Sequence, residues 1–203
     1  MRPEGPDRHR VLIGSSNRGK VREYREILTG LDLELVAPGD LVPAPAEPEE
    51  TGGSFTENAA SKARAYALAT GLQTIADDSG LEVFALRGAP GVRSRRFFGE
   101  DASAAERNTR LLAMLQGVAD RSARFVCVTA LASPDGHVEL FDGEVRGEIA
   151  EAPRGDGGFG YDPVFVIAGD GRTMAELSSE EKHRVSHRGL AGAKLRARLA
   201  AGA

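Results

Sequence analysis

Apolar residues recur along this chain in two rhythms, one of period two and one near 3.6, and the points where they change mark its elements. Val11, Leu12 and Ile13 predict a short buried strand over Arg10–Gly14 that breaks into a Ser/Asn/Gly turn. Val21, Tyr24, Ile27, Leu28 and Leu31 follow at helical spacing and predict a helix running up to Gly30. Leu33–Val36 reads as a second strand, and the Pro-rich stretch Pro38–Pro48 as a surface loop. Ser54 and Glu57 stand as a capping box before a helix whose apolar face is Phe55, Ala59, Ala63, Tyr66 and Ala67, with Gly71 as its stop. Gln73–Ala76 predicts the next strand, expected to end at Asp77-Asp78-Ser79-Gly80, with Leu81–Leu86 resuming as strand or helix.

Further on, Leu111, Leu112 and Leu115 predict an amphipathic helix over Ala102–Gln116. Ala123–Ala132 and His137–Ile149 read as long strands joined by Pro134-Asp135-Gly136, a turn that makes them a hairpin and the sheet mixed. A Gly-rich loop, Gly155–Gly160, leads into a strand over Pro163–Ile167, and a helix over Ser186–Ala200 closes the chain. The pattern predicts an α/β fold, with residues 1–9 a polar leader and residues 10–203 one domain.

Composition narrows this picture. With 203 residues and 41% hydrophobic side chains, the chain can bury one core or two lobes on a shared sheet. Its 30 acidic and 26 basic residues give a net charge of −4, which argues against a nucleic-acid partner but leaves room for a small anion met by local cations. Cys127 is the one cysteine, so neither a disulfide framework nor a cysteine metal cluster can form. No apolar run approaches the roughly 20 residues that span a bilayer, and the first ten residues are polar, so a cytoplasmic location and no membrane partner are expected.

Five constellations carry candidate chemistry. Gly14-Ser15-Ser16-Asn17-Arg18-Gly19-Lys20 lies between a strand and a helix, where backbone N–H groups and Lys20 can meet a phosphate. It matches part of a P-loop, yet Val21 stands where that loop needs a hydroxyl for its metal. Glu49-Glu50-Thr51-Gly52 and Asp77-Asp78-Ser79-Gly80 offer paired carboxylates of the kind Mg²⁺ uses when phosphates complete its shell. Asn58 and Lys62, four apart, share a helix face. Gly157 to Pro163 puts Phe159 where it can stack on a purine, Gly160 and Tyr161 beside it, and Asp162 where it can accept from the N–H edge. Lys182 precedes Ser186-His187-Arg188-Gly189, whose donors suit an oxo group on a base. Each alone has an ordinary alternative: a solvated Lys20 or Lys62, an acidic loop, aromatic core anchors, a helix-capping histidine.

Together, and in this order from about Val11 to Ala200, these segments and Gly88-Ala-Pro-Gly-Val-Arg-Ser94 resemble the inosine triphosphate pyrophosphatase family, the Ham1-like enzymes. The resemblance implies a homodimer of elongated two-lobed α/β subunits, each with a nucleotide cleft on a long mixed sheet. It implies that Ser15, Asn17, Lys20 and Lys62 bind a triphosphate, that Glu50 and Asp78 hold Mg²⁺, and that Asp78 also deprotonates water. It further implies that Ser79, Phe159, Gly160, Tyr161, Asp162, Lys182, His187 and Arg188 surround base and sugar. ITP, dITP and XTP would be cut to the monophosphate and pyrophosphate. Two rivals stand beside this reading: a P-loop-like NTPase that releases orthophosphate, and a nucleotide-binding regulator without turnover.

Overall fold

The computed structural model describes residues 9–202. The first eight residues of the expected leader lie outside that range, while His9 is already in the sheet, in register with Leu33. Six strands form one sheet in the order β2-β1-β3-β4-β5-β6. They are β1 (His9–Ile13), β2 (Leu33–Val36), β3 (Gln73–Val83), β4 (Ser122–Ala132), β5 (Val138–Ile149) and β6 (Phe165–Ile167). β1 runs parallel to β2 and β3, and the remaining neighbours are antiparallel, so the sheet is mixed as the hairpin signal required.

The helices are α1 (Arg18–Ile27), α2 (Phe55–Thr70), α3 (Ala104–Met114), α4 (Ser179–Val185) and α5 (His187–Ala200). Local chemistry sets most of their ends. Ser54 Oγ accepts from Glu57 N and Gly71 closes α2 in the left-handed conformation at φ 67°. The Glu57 carboxylate, however, reaches back to Gly53 N rather than to Ser54 N, so the expected box is only half formed. α1 stops at Ile27, short of Gly30, because the chain already turns at Leu28. Ser103 starts α3 later than expected, through a complete capping box with Glu106. The expected strand over Pro163–Ile167 is shorter, since Asp162–Val164 forms a 3₁₀ turn before β6, and Pro38–Asp40 makes another inside the Pro-rich loop.

The largest difference lies in β3. Rather than ending at Ala76, it continues through Asp77, Asp78, Ser79 and Gly80 to Val83, paired with β4 from Thr74↔Ala132 to Val83↔Ala123. The ladder satisfies the backbone across this polar stretch, and the side chains alternate between faces. Ile75 packs with Val11, Tyr24, Leu28 and Leu195 on the α1/α5 face; Ala76 packs with Phe55, Ala59 and Ala63 on the α2 face. Beyond Gly80 a separate core begins, in which Leu81 and Val83 meet Leu111, Leu115, Phe165 and Met174. The polar residues of β3 thus lie where the sheet passes between two cores, giving the two lobes of the expected fold.

α5 seats on β5 through a glycine. A Cβ on Gly143 would lie 2.1 Å from His187 O and 2.7 Å from Ala191 N, both backbone atoms that cannot rotate away. Gly143→Ala is therefore expected to destabilise the protein by about 1–3 kcal/mol in chemical denaturation. Gly39→Ala, which meets nothing within 4 Å, should leave the midpoint unchanged; equal midpoints for the two variants would show that α5 does not depend on this approach.

Candidate active site

Because β3 alternates, its adjacent acids face different tasks. Asp77, on the α1/α5 face, accepts from Arg188 Nη2 at 2.9 Å and Nε at 3.2 Å, and its carboxylate lies 3.1 Å from Lys20 Nζ. Arg188 Nη1 donates to Glu23 at 2.8 Å and Nη2 to Ser79 Oγ at 2.7 Å. Lys182 Nζ donates to both Glu23 and Asp162 at 2.6 Å, and Asp162 accepts from Phe159 N at 2.7 Å. Three carboxylates, Glu23, Asp77 and Asp162, are thus matched by three cations, Lys20, Lys182 and Arg188. Burial would raise Glu23, but Arg188 and Lys182 outweigh it and hold its carboxyl at about 2. Burial also opposes ionisation of Asp77, yet Lys20 and Arg188 bring it well below the usual carboxylate range. At Asp162 burial wins and the direction is upward.

Asp78 looks the other way, toward α2. Its Oδ2 accepts from Asn58 Nδ2 at 2.8 Å, and its Oδ1 accepts from Ser79 N at 2.9 Å. Burial raises its pKa, with Asn58 pulling against the shift. Asn58 Oδ1 also accepts from Gly52 N at 2.8 Å, which ties α2 to the loop carrying Glu50. Glu50 forms an ion pair with Lys62. Burial opposes the charge of Lys62, but Asp77 and Glu50 outweigh it and raise its pKa.

Glu50, Lys62 and Asp78 line one cavity of about 290 Å³, together with Ser15, Ser16, Asn17 and Lys20. Asn17 accepts from Gly19 N at 2.9 Å and Lys20 N at 3.3 Å, capping α1 and fixing the turn, while Ser16 Oγ donates to Glu47 at 2.8 Å. Phe159, Gly160, Tyr161, Asp162, His187 and Arg188 form the other end. Lys182 Nζ lies 4.9 Å and Arg188 Cζ 5.4 Å from the Phe159 ring centre, so cations back this aromatic face. His187 stacks on Phe125 at 4.6 Å, and burial drives its pKa well down, leaving a neutral ring at the wall.

Four expected residues do not line the cavity. Arg18 faces a neighbouring surface groove with Arg22 and Arg25. Gly19 packs under Phe159, whose ring lies 2.6 Å from where its Cβ would be. Asn58 stands behind Asp78, and Lys182 stands behind Phe159 and Asp162. His183, next to Lys182 in the chain, pairs with Glu26 at 2.6 Å. Sequence reading overlooked Glu23, although it lies one turn after Lys20 on α1, and it overlooked Phe125, Arg95 and Arg107, which carry no local motif.

What the cavity can do follows from its groups. Ammonium groups on α1 and α2 converge where a polyanion can lie, and two carboxylates, Glu50 and Asp78, stand with them. Among the described residues no cluster of three or more His, Cys, Asp or Glu side chains is arranged to hold a metal ion. Two oxygen donors with room for phosphate oxygens fit Mg²⁺ and suit a thiophilic metal poorly.

Comparison with known proteins places the chain in one family. The sequence profile of the Ham1 family matches residues 11–198. The chain is 51% identical to a protein of Deinococcus deserti named dITP/XTP pyrophosphatase, covering 92% of this chain and 88% of that protein. It is 50% identical to a Thermus thermophilus protein of the same name, over 90% of this chain and 87% of the relative. A solved structure of a HAM1 protein from Coxiella burnetii superposes with a TM-score of 0.85 at 42% identity, covering 95% of this chain and 98% of that one.

The two acids of β3 should separate in a stability experiment. Asp77 contributes stability above its unfolded pKa, and that contribution is lost as pH falls through its lower folded value. Asp77→Asn should therefore cost about 3–5 kcal/mol, since it strands Arg188 and Lys20. The folded pKa of Asp78 is raised, so its charge works against folding above pH 4 or so, and Asp78→Asn should leave stability unchanged or higher. Equal losses in urea denaturation would contradict the division.

Proposed function

The chain belongs to the Ham1 family, and on that footing we propose that it hydrolyses the deaminated purine nucleoside triphosphates ITP, dITP and XTP to the monophosphate and pyrophosphate. The observation that carries this is the convergence of Lys20, Glu50, Lys62 and Asp78, from four separate segments, on one cavity. Relatives named dITP/XTP pyrophosphatase at about half identity supply the substrate class.

Ser15, Ser16, Asn17, Lys20 and Lys62 bind the phosphate chain in this reading. Lys62 then exchanges its pairing with Glu50 for a phosphate oxygen, which releases Glu50 as a metal ligand. Glu50 and Asp78 hold Mg²⁺, which when bound polarises the phosphate oxygens and lowers the pKa of water. Asp78 accepts the proton of the water that attacks the α-phosphorus. Lys20 and Lys62 stabilise the charge that develops on the departing pyrophosphate.

Phe159 offers its ring to the purine, and Asp162 and the neutral His187 stand at its edge. A wall that supplies donors to an oxo group disfavours the exocyclic amine of ATP, because each buried donor left unpaired costs about 1–3 kcal/mol, or about five- to 150-fold. Among the described residues no helix is long and apolar enough to cross a membrane. We place the enzyme in the cytoplasm and, from its family likeness, as a homodimer.

Incubation with ITP, dITP, XTP, ATP and GTP plus Mg²⁺ should yield pyrophosphate from the first three. Orthophosphate released from ITP without added pyrophosphatase would establish the P-loop-like alternative instead. Asp78→Asn should lower kcat by at least about a hundredfold while ITP binding, read by calorimetry, survives; turnover at the unaltered rate would remove Asp78 as the base.

A further inference from the structure

We propose that Arg95 and Arg107 form a cationic wall of the cavity that grips the phosphate chain from the α3 lobe, across from Lys20 and Lys62. The inference rests on the functional reading above and deepens it by adding two substrate-binding residues from the other lobe.

The cavity is lined by the cations Lys20, Lys62, Arg95, Arg107 and Arg188 and by the acids Glu47, Glu50, Asp78 and Asp162. Lys62 is paired with Glu50, while Lys20 and Arg188 are paired with Asp77. Asp162 is paired with Lys182, which lies behind the wall. Arg107 donates only to backbone, through Nη1 to the carbonyls of Arg95 and Ala102. The Arg95 guanidinium has no hydrogen bond or ion pair to any described residue. Among the described residues these two are the lining cations that no carboxylate neutralises. A triphosphate remains anionic after one divalent cation binds it, and these two guanidinium groups add unneutralised positive charge to that of Lys20 and Lys62.

Both side chains spring from fixed backbone. Ser94 Oγ accepts from Leu81 N at 2.9 Å, and Ser94 O accepts from Tyr161 Oη at 3.0 Å. On the other side of Arg95, Arg96 Nη2 donates to Glu50 O at 3.1 Å. Arg95 is therefore anchored between the base wall and the loop of the proposed metal ligand Glu50. Arg107 has its fork held at one nitrogen, with Nη2 and Nε left to donate, and its neighbour Asn108 donates to Gly160 O at 3.1 Å. Planar guanidinium groups of this kind suit phosphate oxygens in pairs.

Arg95→Ala is the clean test, because its side chain supports nothing else in the fold. It should raise KM for ITP about tenfold with kcat within about twofold, and Arg95→Lys should recover part of the loss. The dependence of kcat/KM on ionic strength should become shallower. Binding of inorganic pyrophosphate with Mg²⁺, read by calorimetry, should weaken in parallel, while binding of inosine should not. Arg107→Lys should behave likewise, and Arg93→Ala, outside the cavity, should match the unaltered enzyme. Unchanged KM and pyrophosphate affinity in both variants would overturn the proposal, as would equal losses for inosine and pyrophosphate. Because pyrophosphate binding is read without turnover, the proposal can fail while the proposed function stands, and a wild-type enzyme that makes no pyrophosphate would fail the function alone.

Discussion

Everything at this site depends on a buried charge problem solved by ion pairing. Glu23, Asp77 and Asp162 face Lys20, Lys182 and Arg188 in and beneath the cavity wall, and Arg188 and Glu23 meet although 165 residues separate them. An isolated ion here would cost several kcal/mol, and the cluster offsets that cost only when every partner is present. Such a network contributes little net stability, but it permits one arrangement of α1, β3, the Phe159 loop, α4 and α5. Lys20, Asp162, Arg188 and the aromatic face of the cavity take their positions from it.

The period-two alternation of β3 turns that rigidity into chemistry. Asp77 is committed to the cluster by cations that hold it ionised, while Asp78, one residue on, faces α2 and is left with a single neutral donor side chain, Asn58. One strand thereby supplies an anchor and a reactive carboxylate without any break in its ladder. The same stretch lies where the core of the α3 lobe meets the cores on the two faces of the sheet, which places Asp78 between the lobes.

Much of this was legible in the residues, and the omissions have physical causes. Ser54 and Gly71 bound α2 because caps are local chemistry, and the Pro134-Asp135-Gly136 turn announces the β4–β5 hairpin. The acidic run of β3 reads as a strand end because unpaired adjacent acids belong at one; its continuation depends on Arg188 and Asn58, which lie far away in sequence. α4 escaped notice because it has only seven residues, even though Ser178 and Glu181 cap it in the usual way. Ser15, Lys20, Lys62 and Phe159 stand out by motif and spacing, and the family resemblance singles out Glu50 and Asp78 from their acidic pairs, whereas Glu23 and the arginines of the α3 lobe are defined only by what they face in three dimensions.

The phosphorus that water attacks in this cavity distinguishes a pyrophosphatase from an enzyme that removes the terminal phosphate. Hydrolysis of ITP in ¹⁸O-labelled water, followed by mass spectrometry of both products, reads that atom directly. Label carried by the nucleoside monophosphate is the predicted result, since Asp78 is assigned to water at the α-phosphorus; label carried by pyrophosphate, or by orthophosphate, would contradict it.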